Sequence, residues 1–314
     1  MKFIISLFLM IVLSGCESFG KKITEEQLSK IDKVALVSLI DDQITYNSVG
    51  FTILDKKNTL YPFLGVNIDK YITTEISHAL KRANPRVDVV SLDYDFDTLM
   101  DSYSNRKSLT SFDIDRFIAK ITDEALAKGI NYVIVASRDD FYFEESAFTV
   151  VHGFGLRKKV NQDIVGSFVL VKFQLIDIST KKELAKARIY EIDRESDLQW
   201  SEPFDTNSES FKEKLKLYIY TSIDDWSKRV AALLIQSPKD FSICSKKVYS
   251  TGFEIDGITY KSRGEVLNER RNYIHQKIIK ENVNPKKSLP PYEKRFQSKE
   301  DDVLDCIGQL VQGT

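Results

Sequence analysis

Two kinds of apolar spacing alternate along the first part of the folded chain. The segments "KVALVSLI" (33–40) and "INYVIVAS" (130–137) are nearly continuous β-rich runs, the pattern of strands buried on both faces. "RVDVVSL" (86–92) reads as another strand, and "QITYNSVGFTILD" (43–55) as extended chain around Gly50. Between these lie segments whose apolar positions recur every three or four residues. In 66–83, Ile68, Ile72, Ile76 and Leu80 share one helical face, Lys81 and Arg82 suit the C-terminal end, and Asn84-Pro85 stops the helix. In 111–129, Ile114, Phe117, Ile118, Ile121, Ala125 and Leu126 form a second such face, with Gly129 as its C-terminal stop.

After residue 147 the pattern changes to hairpins. "AFTVVHGFGL" (147–156), "IVGSFVLVKFQLIDI" (164–178) and "LAKARIYEI" (184–192) are strands joined by the turns "KKVNQD" and "STKKE". Residues 211–236 are a long amphipathic helix ended by Ser237-Pro238. Helices link the early strands and tight turns the later ones. The fold class is therefore α/β (α+β): a mixed sheet with early βαβ-type units, later antiparallel hairpins and packed helices.

Residues 237–314 read as a small C-terminal module. A hairpin is expected over 248–262 around Asp256-Gly257, a favoured turn pair. A helix follows over about 264–280, and 284–296 is extended and irregular because of its three prolines.

The start of the chain says where the protein lives. Lys2 precedes a ten-residue stretch (3–12) that is apolar but for Ser6, too short to span a bilayer of roughly 30 Å and the right length for the core of a secretory signal. "LSGC" (13–16) follows and resembles the bacterial lipobox at all four positions. The resemblance implies cleavage before Cys16, which then carries diacylglycerol and an N-acyl chain. Two or more chains make attachment stable where one does not. A cleaved signal with a chance cysteine is the bland alternative. Glu17, where an aspartate tends to retain such proteins at the inner membrane, favours the outer membrane facing the periplasm. Residues 16–32 are then the lipidated cysteine and a polar tether, and 33–236 the α/β domain.

Composition adds three points. The chain has 314 residues, 42% of them apolar and 29% charged, which suits a globular body with a sizeable core. Its net charge of −1 hides an asymmetry: residues 237–299 hold 14 Lys/Arg against 7 Asp/Glu, while 16–236 carry a net −5. Two surfaces with different partners would explain that split, and so would a solvated basic face with no ligand. With Cys16 lipidated, Cys244 and Cys306 remain, an even pair that reads as a disulfide in an oxidising compartment.

A helix end running into a strand in "AKGINYVIVAS", with a later strand and turn in "LIDISTKKELAKA", is similar to a group of envelope proteins. The group comprises the amino-terminal domain of the Tol system's periplasmic translocation protein, the curli secretion-channel lipoprotein, and lipoprotein activators of penicillin-binding proteins. The matched positions are Lys128 to Val135 and, loosely, Asp177 to Lys182, where Lys181 replaces the usual glycine. The resemblance covers roughly 33–236. It implies a βαβ-containing α/β domain and a binding or assembly role without catalysis. A channel subunit is the weakest version, because Gly166, Lys172 and Gln174 interrupt one face of the strand that would have to line a membrane.

Candidate chemistry is sparse. No HExxH, GxSxG or Walker sequence occurs, and neither Cys244 nor Cys306 has a zinc-type partner spacing. The histidines are His78, His152 and His275. "HGFG" (152–155) reads as a kink or bulge, or as a partner contact through His152 and Phe154. The acidic stretches at 93–97 and 139–145 read as solvated loops, with a carboxylate-dependent envelope hydrolase as the alternative. The basic tail offers Arg270, Arg271, Lys286 and Lys287 to an anionic glycan, lipopolysaccharide phosphate or acidic protein. No metal or cofactor is expected, and nucleic acid is an improbable partner in this compartment. The expected protein is a lipid-anchored, non-catalytic binding or accessory protein whose partner is another envelope protein or the cell wall.

Overall fold

The computed structural model describes residues 23–49, 56–63, 65–96, 114–143, 149–159, 165–192, 208–235, 238–274, 276 and 290–312, and among them forms seven helices and twelve strands. The chain begins with a short helix α1 (Glu25–Ser29), then β1 (Lys33–Leu39), β2 (Gln43–Val49) and β3 (Lys56–Pro62). Helix α2 (Ile68–Ala83), β4 (Asp88–Val90), α3 (Ile114–Ala127) and β5 (Tyr132–Arg138) complete the alternating part. Next come β6 (Asp140–Phe143), β7 (Thr149–His152), β8 (Phe154–Lys159), β9 (Val165–Asp177) and β10 (Lys182–Ile192). The remainder is α4 (Glu209–Ile235), α5 (Pro238–Tyr249), β11 (Phe253–Ile255), β12 (Ile258–Tyr260), α6 (Arg263–Ile274) and α7 (Glu293–Gln312).

The mixed α/β class is as the spacing implies. Strand β1 lies between β4 and β5, parallel to both, while β2 lies between antiparallel β3 and parallel β8. These two three-stranded groups meet on one long strand. Residues Val165–Val169 of β9 pair with β8, and Val171–Asp177 of the same strand pair with β5. The opposite edge of β9 is taken by β10 over Phe168–Asp177. Leu170 sits at the junction, its N–H donating to Gly153 and its carbonyl accepting from Asp139.

"HGFG" turns out to be the crossing point between two sheets. Strands β6 and β7 form their own hairpin, and at Gly153 (φ +71°) the chain leaves β7 and enters the main sheet as β8. A Cβ at Gly155 would stand 1.8 Å from the Thr45 carbonyl oxygen of β2, so the parallel β2–β8 pairing needs glycine there.

Helices cover both faces. One apolar face of β9 (Val169, Val171, Phe173, Leu175) packs in the main core with Ile72, Ile76 and Leu80 of α2 and Ile219 and Ile223 of α4. The other side holds a second cluster under α3, where Phe117, Ile118, Ile121 and Ala125 meet Val133 and Val135. Among the described residues no helix is long and apolar enough to cross a membrane.

The tail departs from expectation. Its core is not its own: Phe296, Val303, Leu304 and Ile307 of α7 and Cys244 and Tyr249 of α5 belong to the same buried cluster as α2 and β1. Two tail helices lie where the sequence pattern predicts none. Pro238, expected to act as a stop, is the first residue of α5, and α7 begins at Glu293 within the stretch expected to be irregular. Proline at a helix start is favourable because its missing N–H has no partner there anyway. The Cys244–Cys306 disulfide is formed and ties α5 to α7. The β11–β12 hairpin turns at Asp256-Gly257, both with positive φ, as its sequence requires. At the other end of the described chain α1 forms within the stretch expected to be a tether: Thr24 and Gln27 close a capping box on it, and Ile23 and Leu28 pack on the core.

Candidate functional site

The basic tail meets the acidic body at an ion-pair network. Asp224 and Asp225 of α4 face α6, whose Arg270 is 1% exposed. Arg270 places one guanidinium nitrogen 2.7 Å from Asp225 and two others 2.8 Å from the oxygens of Glu293 on α7, over the ring of Phe296. Arg263 forms a second fork on Glu300, also 1% exposed, which accepts as well from the Tyr249 hydroxyl at 2.7 Å. Arg271 reaches Glu191 of β10 at 3.0 Å, and Glu191 also accepts from the Trp226 indole. Against the cost of its burial, the Arg263 charge and hydrogen bonds hold Glu300 below the ordinary carboxylate range. Asp224 goes the other way: burial pushes it up to about 7, although Lys228, the Tyr71 hydroxyl and Arg270 act to lower it. This network corrects the assignment of Arg270 as a partner contact. A buried guanidinium engaged by two carboxylates has nothing left to offer outside. Arg271 is partly exposed but likewise committed to internal carboxylates.

Beside this network lies an open recess of about 410 Å³ between α4, α5 and the start of α6. Leu233 and Phe241 give it an apolar side, and Ser242, Ser245 and Ser262 contribute hydroxyls. Its cations are Arg229, Lys246 and Lys261, together with Arg263, whose charge is already spent on Glu300. Among the described residues no carboxylate lines it. Among the described residues Arg229, Lys246 and Lys261 form no ion pair; Arg229 lies over the Trp226 ring at 5.4 Å. Ser262 caps α6 by accepting from the Glu265 N–H, and the first residues of that helix, Arg263 and Gly264, line the same recess. Positive charge, hydroxyls and helix N–H groups on one concave surface attract an anion.

A third polar group sits where the sheet divides. Arg138, 5% exposed, pairs with Asp41 and donates to the carbonyls of Asp41 and Gln43. Asp139 pairs with Arg188 at 2.8 Å, and His152 contacts Asp140. These contacts tie the two halves of the sheet together; Asp97, Glu144 and Glu145 of the acidic stretches lie outside the described residues. Asp93, at the other acidic stretch, is fully exposed beside Lys128.

The residues singled out in the sequence are scattered. Phe154 is fully buried under Arg138, which corrects its assignment as a partner contact: it is a core ring at the sheet crossing. His152 is partly exposed and held by Asp140. Lys286, Lys287 and Cys16 lie outside the described residues. Among the described residues no group of His, Cys, Asp and Glu is arranged to hold a metal ion. The recess itself escaped sequence reading. Its signal, Lys261-Ser262 before a helix, is short, and its other cations arrive from helices that are distant in sequence.

No protein-family model and no curated protein matches this chain. Among solved structures, a dodecamer of a PelC point variant from Paraburkholderia phytofirmans aligns at 11% identity over 69% of this chain and 95% of that one. The TM-score is 0.25, a likeness too weak to carry an argument about fold or role.

Proposed function

We propose that this protein is anchored by lipid at Cys16 to a bacterial envelope membrane. There it acts as a non-catalytic binding or accessory protein for another envelope component, with the recess beside α6 as its ligand-facing surface. The disulfide between Cys244 and Cys306 is the observation that carries this reading, because such bonds persist in exported proteins and are rare in reducing compartments. An exported chain is also what the apolar run and "LSGC" call for, and Glu17 favours the outer membrane. The carboxylates Asp139, Asp140, Asp225 and Glu300 are engaged in internal pairs, which supports binding over hydrolysis.

The test is expression of wild type and Cys16→Ala in a bacterial host with labelled palmitate, followed by purification in mild detergent and mass measurement. The expected result is label and membrane association in wild type only, with a monomer or small complex carrying a defined envelope partner. Absence of label in wild type overturns the anchor. A large particle made only of this chain overturns the accessory role in favour of a channel subunit.

A further inference from the structure

We infer that the recess between α4, α5 and α6 is a binding site for a phosphate ester. This deepens the binding role proposed above and rests on it for the claim that the recess faces a ligand. It does not rest on the anchor, which is measured separately.

In the neighbouring network each buried arginine is matched by carboxylates, as the cost of an isolated buried charge demands. In the recess Arg229, Lys246 and Lys261 line one surface, with no carboxylate among the described lining residues. Like charges on one concave, part-apolar surface repel one another, and an anion bound among them relieves that repulsion. The donors are also of mixed type. Serines of α5 and the first turn of α6 line it together, a donor set that suits a tetrahedral group with several acceptor oxygens. Lysine supplies point charges without a fixed fork, which suits phosphate better than a planar carboxylate.

Gly264 gives an independent indication. It is the second residue of α6, its φ is not positive, and a Cβ there would meet nothing within 4 Å. Packing therefore does not require glycine at this point. Gly264 lines the recess, and its bare backbone leaves room for a ligand to approach there. The volume, about 410 Å³, accommodates a phosphate together with the sugar or glycerol that bears it.

The experiment uses the full-length chain in non-ionic detergent with Trp200→Phe, which leaves Trp226 as its one indole of the two in the sequence. Trp226 stacks beneath the Arg229 guanidinium, so its fluorescence reports movement of that cation toward a ligand. Inorganic phosphate and glycerol 3-phosphate are titrated against chloride at constant ionic strength. In parallel, vesicles of phosphatidylglycerol are compared with vesicles of phosphatidylcholine. A saturable change with a soluble ester assigns the site to free phosphate esters. A change only with phosphatidylglycerol assigns it to a lipid headgroup. In either case Lys261→Gln weakens binding about tenfold, as expected for loss of one charge-assisted hydrogen bond, and Lys246→Gln with Lys261→Gln removes it. Gly264→Ala keeps or raises the thermal midpoint while weakening binding about threefold, since the fold gains helix propensity and the ligand loses access. No response in any arm, a response equal to that of chloride, or one that survives in the double variant overturns the site. Such a failure leaves the palmitate and co-purification results standing, so it is distinguishable from failure of the envelope role.

Discussion

Arg270 and Lys261 belong to the same basic tail and lie nine residues apart, yet they serve opposite ends. Arg270 is sealed between Asp225 and Glu293, where its planar fork makes three short contacts. Lys261 is exposed and lines a recess with no carboxylate among the described lining residues. The difference shows that the tail's excess positive charge is really two populations. One neutralises the acidic body and holds the molecule together, and only the other remains to meet something outside it. Total charge along the chain cannot separate them, because the separation depends on which helices pack face to face.

The contrast can be broken at several points. Arg270→Ala leaves buried Asp225 and half-buried Glu293 without their main partner, and unfolding in urea is expected to show a loss of about 3–5 kcal/mol. Replacing both Cys244 and Cys306 by serine opens a loop with a sequence separation of 62, and the expected loss, read from thermal unfolding, is at most about 4 kcal/mol. Asp224→Asn separates the buried network from the surface by its pH dependence. Burial holds Asp224 at about 7 in the folded chain against an ordinary value of 3.8, so the folded state grips its proton more tightly. The stability this provides is complete below about pH 4 and is lost as pH rises through about 7. The asparagine variant should flatten that decline, by an amount on the order of a few kcal/mol, in urea titrations between pH 4 and 8. At the small end, Lys246→Gln and Lys261→Gln should each change stability by less than about 0.5 kcal/mol, as surface substitutions do. A large loss there would mean that the recess, too, is structural.

Much of the body could be read from spacing because its elements are long and their apolar faces regular. Ile68, Ile72, Ile76 and Leu80 and the run from Val34 to Leu39 are buried as their periods require. The tail was harder for physical reasons. Helix α7 opens with "EKRFQSKEDD", where a single apolar residue, Phe296, stands in the first ten, so its face emerges only with Val303, Leu304 and Ile307. Pro238 signals a helix end or a helix start equally well, and only the packing of Phe241 and Cys244 decides between them. The disulfide was legible because two cysteines allow one pairing. The recess was not, since Arg229, Lys246 and Lys261 share no local pattern and meet only through tertiary packing.

The seat of α7 on α2 also sets the order of events in making the molecule. Arg82 near the end of α2 grips Asp305 of α7 across 223 residues of chain, and a Cβ at Gly308 would stand 2.9 Å from the Arg82 carbonyl. Synthesis delivers the amino-terminal end first. The faces of α2 and α5 that α7 covers must therefore wait, exposed, until that helix of 20 residues has emerged. A chain of this design stays open until α7 is made, and a variant that lacks α7 would stay open permanently.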